Sequence, residues 1–461
     1  MKNSTLGKIR AYWLASVVCM GGFLFGYDSG MYVKCYNLYL FRGGVLTMKS
    51  FVRDFKYDTA HATRVNSLAV GLQQAGAFAA CFVIWPIADR LGRKLSLQIS
   101  SFIFIIGAMM ETINSHNMGV FYAGRVIAGV GLGAATVVVP MFNSEMAPKE
   151  LRGQIGSFFQ WFYTFGIFTS YWVDYAMAEV VPSVTRQWQI PIGLQIIPAG
   201  LLALGTFTLK ESTRWLTKKG RHEEAWESLK WIRADESQST VEEMEEIRVG
   251  VELEQRATEG FQIKELAERE NFKRLFTAFA VFTAQQATGA TAFAYYGPQY
   301  FKLLVGGGSK DLLLTAIFGA IKVVACGCFV LFLSNRVGRR GVLIGGAVFM
   351  SACQIVTAIV VKELPASKSA GVTSSGIATV ALIYLFVIAY NLSWGPLPWP
   401  YVSEGTFLLW GVFDAVVAVV AFFFLKETNG LSLEEIAHND YGRASSYKED
   451  AILVEHGTTP K

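Results

Sequence analysis

Two charged residues sit where charge is costly. Asp28 lies within Gly26-Tyr27-Asp28-Ser29-Gly30, near the end of an apolar run at 11–30, and Arg125 lies inside another at 118–142. At bilayer depth an ionised side chain needs a partner or a cavity. A guanidinium there requires a carboxylate, and Asp28 and Glu145 are the candidates. Apolar surroundings favour the neutral acid and a guanidinium favours the carboxylate, so motion that parts Asp28 from Arg125 would load and release a proton. Asp28 is therefore the candidate proton carrier. Lys322 and Asp414 are further charges within apolar runs, and whether Lys322 pairs with an acid or snorkels stays open. Gln285 and Gln286 offer different chemistry. Amides donate and accept, as a hydroxyl-covered solute requires, and Tyr295 and Tyr296, two turns on, supply rings to cover an apolar face. Gln285 shares a helical face with Thr288 and Gly289. Paired glutamines also glue helices together, and the residues alone leave both roles open.

The elements that must hold these groups are membrane helices. The 461 residues are 52% hydrophobic and 17% charged, with a mean hydropathy of +0.36, too apolar for a soluble globule of this length. A bilayer core takes ~20 apolar residues per helix. Such runs fall at about 11–30, 66–87, 95–113, 118–142, 154–177 and 189–209, then 275–301, 312–333, 341–361, 375–398 and 406–425: six, then five. Lys2, Lys8 and Arg10 before the first run place the N-terminus in the cytoplasm. The organisation expected is an N-terminal half at 1–209, a charged, helix-prone cytoplasmic linker at 210–274, a C-terminal half at 275–428 and a mobile, cytoplasmic-type tail at 429–461.

The halves repeat one another. Ala88-Asp89-Arg90-Leu91-Gly92-Arg93-Lys94 separates the second and third runs, and Asn335-Arg336-Val337-Gly338-Arg339-Arg340 separates the matching pair later. Lys210-Glu211-Ser212-Thr213 closes the first half, and Lys426-Glu427-Thr428 closes the second. Asp89, Arg90, Arg93, Glu145, Arg152, Glu211, Arg214, Arg336, Arg339, Arg340 and Glu404 form a candidate inner gate, whose salt bridges would hold the halves together at the cytoplasmic side. A plainer role as topology signals accounts for them too. The glycines at 129, 131 and 133 follow no strand, so they predict close helix packing and not a dinucleotide loop. The six cysteines show no metal-ligand spacing and read as small core residues. Neither a nucleophile–base pair nor a phosphate loop is present, so an enzyme, a cofactor, a metal and a nucleic-acid partner are not expected. The net charge of +5 fits cytoplasmic loops.

These motifs, with Glu145 through Arg152-Gly153, Glu211-Ser212-Thr213-Arg214-Trp215-Leu216, Gln285-Gln286-Ala287-Thr288-Gly289 and Pro396-Leu397-Pro398-Trp399 leading to Glu404, resemble the sugar porters of the major facilitator superfamily, fungal hexose transporters in particular. The resemblance covers nearly all of 11–30 and 43–437. It implies an all-α integral membrane protein of the major facilitator fold, a monomer of the plasma membrane that carries a hexose or similar polyol by alternating access, with proton symport through Asp28 and Arg125. It further implies sugar contacts at Gln160, Gln285, Gln286, Asn391 and Trp399, and outer-gate rings at Tyr295 and Tyr296. Thr291 stands where many members have asparagine. Trp399, among three prolines, fits a broken helix beside a cavity or a simple kink. Two departures stand out. Residues 31–42 interrupt a passage that the family runs straight through, and an eleventh helix is missing between Glu404 and Gly405. An unspliced segment and a skipped one would explain them. The alternatives are a sugar sensor that does not transport, which the short tail disfavours, or an inactive truncated product of splicing or of a misread gene.

Overall fold

A computed structural model describes residues 5–32, 45–56, 62–148, 150–258, 276, 280–290, 309–334, 336, 338–363 and 374–398. The described residues form helices throughout. In chain order they are α1 (Thr5–Val18), α2 (Met20–Met31), α3 (Lys49–Phe55), α4 (Ala62–Leu91), α5 (Arg93–Thr112), α6 (Met118–Met146), α7 (Arg152–Val180), α8 (Arg186–Leu194), α9 (Ile196–Thr206), α10 (Thr213–Lys218), α11 (His222–Arg233), α12 (Gln238–Thr258), α13 (Ser309–Cys328), α14 (Arg339–Glu363) and α15 (Ser374–Asn391). Eight helical stretches among them are long and apolar enough to cross a membrane. Leucine, isoleucine and phenylalanine are exposed on their flanks, as at Phe102, Ile106, Leu204 and Val348, as expected where lipid and not water is the neighbour.

Small residues decide how the first half packs. Helix α6 lies between α4 and α5, and α2 lies along α7. A Cβ at Gly129 or Gly133 would strike the α4 backbone at Gln73 or Ala77, and one at Gly131 the α5 backbone at Phe104. The glycines of α6 thus serve close helix packing, as their spacing predicts. Helix α6 also runs past Pro140 as far as Met146, which puts Glu145 on the helix and not in the following turn. The sixth apolar run is two helices joined at Gln195, whose side chain is buried.

At one end of the bundle a single residue, Gly92, joins α4 to α5. Its φ of +97° and ψ of 168° belong to a region essentially closed to other residues, and a Cβ there would meet the Glu211 carboxylate. Helices α10 and α11 cover this end. Leu229 and Ile232 of α11 join the apolar core, while Arg233 donates to the Met146 carbonyl at 3.0 Å and pairs with Glu243 at 2.7 Å. The segment read as a solvated linker is therefore docked along one face. At the other end Phe51, Phe55, Phe121 and Trp188 form an aromatic cluster with ring centroids 4.5–5.8 Å apart, and Trp188 Nε1 donates to Asp54 at 2.9 Å.

Second-half helices meet the first through α7 and α13. Trp161 Nε1 donates to the Val323 carbonyl at 3.1 Å, and Gly319 and Gly327 of α13 admit Phe168, Tyr171 and Trp161 of α7. The final apolar run, the junction after Glu404 and most of the 31–42 interruption lie outside the described residues. Its first two residues, Met31 and Tyr32, are buried in the core. Gly92→Ala is expected to cost about 1–3 kcal/mol from backbone strain alone, and to lower the thermal midpoint of the detergent-solubilised chain; an unchanged midpoint would contradict the assignment.

Candidate functional site

The deepest polar group is built around Arg125. Its Nη1 donates to Asp28 Oδ1 at 2.8 Å and lies 3.6 Å from Glu111 Oε2, while Nε donates to the Ala69 carbonyl at 3.0 Å. Gln73 bridges the pair, accepting from Arg125 Nη2 and donating to Asp28 Oδ2. The guanidinium lies 3.9 Å from the centroid of the Tyr32 ring, and the Tyr32 hydroxyl donates to Glu111 Oε2 at 2.9 Å. Arg125, Asp28 and Glu111 are each at most 2% exposed. Two carboxylates thus share one guanidinium in a dry site, with helices α2, α4, α5 and α6 all contributing.

Asp28 is the partner of Arg125, and Glu145 is not. Glu145 stands twenty residues further along α6, about 30 Å away at the rise of an α-helix. Glu111, Gln73, Tyr32 and Gln195, which donates to Glu111 at 3.3 Å, escaped the sequence reading. The signal for Glu111 was present: it is a carboxylate inside an apolar run, like Asp28.

A second charged group closes the Gly92 end. Arg93 binds Glu145 through Nε at 3.0 Å and Nη2 at 2.9 Å, and reaches Asp89 at 3.3 Å. Ser212 donates to Glu145, and Lys218 pairs with Asp89 at 3.1 Å. Glu211 accepts from the backbone N–H groups of Arg93 and Lys94 at 3.0 and 3.1 Å, so its carboxylate caps α5. Burial pushes its carboxyl above the ordinary value, more than these backbone bonds pull it down. Arg90 and Arg214 are exposed, and the Nε of half-buried Arg152 has no hydrogen-bond partner among the described residues. In the second copy Arg336 and Arg340 are exposed and Arg339 opens α14. The pairs seen among described residues join helices of the first half to α10 and not to the second half.

Of the expected solute-binding amides, three are buried, Gln160 on α7, Gln285, and Asn391 at the end of α15. Gln285 is buried and donates to the carbonyls of Trp394 at 2.8 Å and Gly395 at 3.4 Å. Asn391 is 1% exposed; its Nδ2 donates to the Val387 carbonyl at 2.8 Å, and its Oδ1 accepts nothing among the described residues. Gln160 is buried on α7, and Gln286 is exposed. Thr291, Tyr295, Tyr296, Trp399 and Glu404 lie outside the described residues. Lys322, near the middle of α13, is buried with its Nζ 4.7 Å from the Phe318 ring centroid.

Buried ion pairs at bilayer depth, in a bundle of apolar helices, mark a multi-pass membrane protein. The chain belongs to the sugar (and other) transporter family, whose sequence profile matches residues 14–405. It is 36% identical over 411 residues to a probable quinate permease of Neosartorya fischeri, covering 86% of this chain and 74% of that protein. A quinate permease of Emericella nidulans is 34% identical over 413 residues, with the same shares. Among solved structures, the major facilitator superfamily proton:xylose symporter XylE bound to 6-bromo-6-deoxy-D-glucose has a TM-score of 0.71 at 23% identity, covering 93% of this chain and 98% of that one. FucP in its outward conformation gives 0.51 at 15% identity, covering 88% and 91%. These structures share the fold. The chain is a major facilitator transporter, not an enzyme.

Breaking a buried ion pair from one side costs about 3–5 kcal/mol. Glu145→Gln is therefore expected to destabilise the chain strongly, and Arg93→Gln to add little to it. A double-mutant cycle on unfolding in detergent measures the coupling, and additive losses would remove the pair from this account.

Proposed function

We propose that the protein carries a small polyhydroxylated solute, a hexose or similar polyol, through the plasma membrane by alternating access. The moving bodies are the halves at 1–209 and 275–428, with 210–274 joining them, acting as a monomer. The observation that carries this reading is the separation of two kinds of polar group. A sealed carboxylate–guanidinium pair occupies the first half, and three buried amides stand on α7, at Gln285 and at the end of α15. The amides Gln160, Gln285, Gln286 and Asn391 bond hydroxyl groups, with Thr291, Tyr295, Tyr296 and Trp399 completing the contacts around the solute. Quinate and xylose, named in the relatives, are both ring-sized polyols, which supports the class.

Coupling follows from the pair. While Asp28 is ionised, Arg125 and Gln73 hold it and the helices α2 and α6 stay locked together. A proton on Asp28 cancels the attraction and frees α2, which packs against α7, to shift with it. The charges at 89–93, 145, 152, 211, 214, 336–340 and 404 act at the inner side as the gate.

Proteoliposomes with an imposed inward proton gradient give the test. The chain is expected to concentrate labelled polyol, while Asp28→Asn exchanges it across equal concentrations without concentrating it. Accumulation by Asp28→Asn at the wild-type level would end the symport reading.

A further inference from the structure

Lys322 is an intramembrane cation that no carboxylate among the described residues holds. Among the described residues it has no acid within ion-pair distance, and the Phe318 ring lies against its ammonium group. Snorkelling does not rescue it. Lys322 stands about 20 Å from the Ser309 start of α13 and about 18 Å from Ser334 at the helical rise, farther than a lysine side chain reaches. A buried ammonium without an anion is poorly solvated, yet the chain places one at the middle of the bundle.

Its position is defined by neighbours on α13. Gly319, one turn before it, sits against Phe168 and Tyr171 of α7, and Cys326, one turn after it, lies beside Thr164 of α7. Gln160 lies one turn from Thr164 on the same helix, on the same face. Across the junction Tyr390 lies beside Gln285, and the buried Oδ1 of the adjacent Asn391 has no partner among the described residues. The ammonium therefore stands in the same layer as the amides, on the helix face turned to α7.

Resting on the transport reading, we propose that the solute is a polyhydroxylated monocarboxylate and that Lys322 is its carboxylate-binding residue. The amides take the hydroxyls and the ammonium takes the anion. A charge-assisted bond in a water-poor site is the strong, orienting contact, and it selects against neutral polyols of the same shape. The Phe318 ring holds the ammonium in place when the anion is away.

The test uses the purified full chain in nanodiscs, with quinate, gluconate and glucuronate set against methyl quinate, sorbitol and glucose. At least one acid is expected to bind tenfold or more tighter than its uncharged counterpart. Lys322→Gln should weaken that acid thirtyfold or more, while Lys322→Arg stays within about fivefold of wild type. Removing an uncompensated charge should also raise the ligand-free thermal midpoint in Lys322→Gln. A lowered midpoint shows a structural partner and overturns the proposal, as does acid binding that Lys322→Gln leaves within threefold. Uptake assays separate the two readings. Uptake of neutral polyol without acid binding overturns the carboxylate site and keeps the transporter. Lysine-dependent acid binding without uptake of any solute keeps the site and rejects transport.

Discussion

The ion pair between Asp28 and Arg125 constrains the whole first half. A charge at bilayer depth costs about 2.5–3.5 kcal/mol even on lenient insertion scales, so the guanidinium must be fully satisfied. Satisfying it takes Asp28 from α2, the Ala69 carbonyl and Gln73 from α4, and Glu111 from α5. Those helices reach α6 only because glycine and alanine face them along it. The small-residue faces and the buried charges are therefore one device. Enlarge the first and the second loses its partners.

The two ends of the sequence repeat meet different surroundings. In the first copy Arg93 is enclosed by Glu145, Asp89 and the Glu211-Ser212 turn. In the second, Arg336 and Arg340 face outward. Helices α10 and α11 fold back over the first copy, and the turn before them brings Glu211 and Ser212 to close it.

Much of this was legible in the sequence. Apolar runs and charged turns located the helices, because hydropathy and helix length are local properties. Asp28 and Arg125 announced themselves as charges in costly places. What escaped was the pairing, since nothing in a linear chain says that residue 111 or 195 will stand beside residue 125. The break at Gln195 escaped for a related reason: its flanks are apolar on both sides, and only the demand for a polar group near Glu111 marks it. Gln285 is half read. Its burial follows from an amide within an apolar run, while its donors go to the Trp394 and Gly395 carbonyls. Docking of α11 depends on Leu229 and Ile232 meeting the bundle, which amphipathic spacing alone does not distinguish from a helix in water.

The cap on α5 carries a consequence for biogenesis. The amides of Arg93 and Lys94 receive their acceptor from Glu211, 118 and 117 residues downstream. When α4 and α5 first enter the bilayer, that acceptor has yet to be made. The helix end stays hydrated at the membrane surface until α9 is inserted and the Glu211 turn emerges behind it. The same turn then delivers Ser212 to Glu145 and Trp215 to the Asp89 carbonyl. A few residues of this turn thus tie together the ends of α4, α5 and α6.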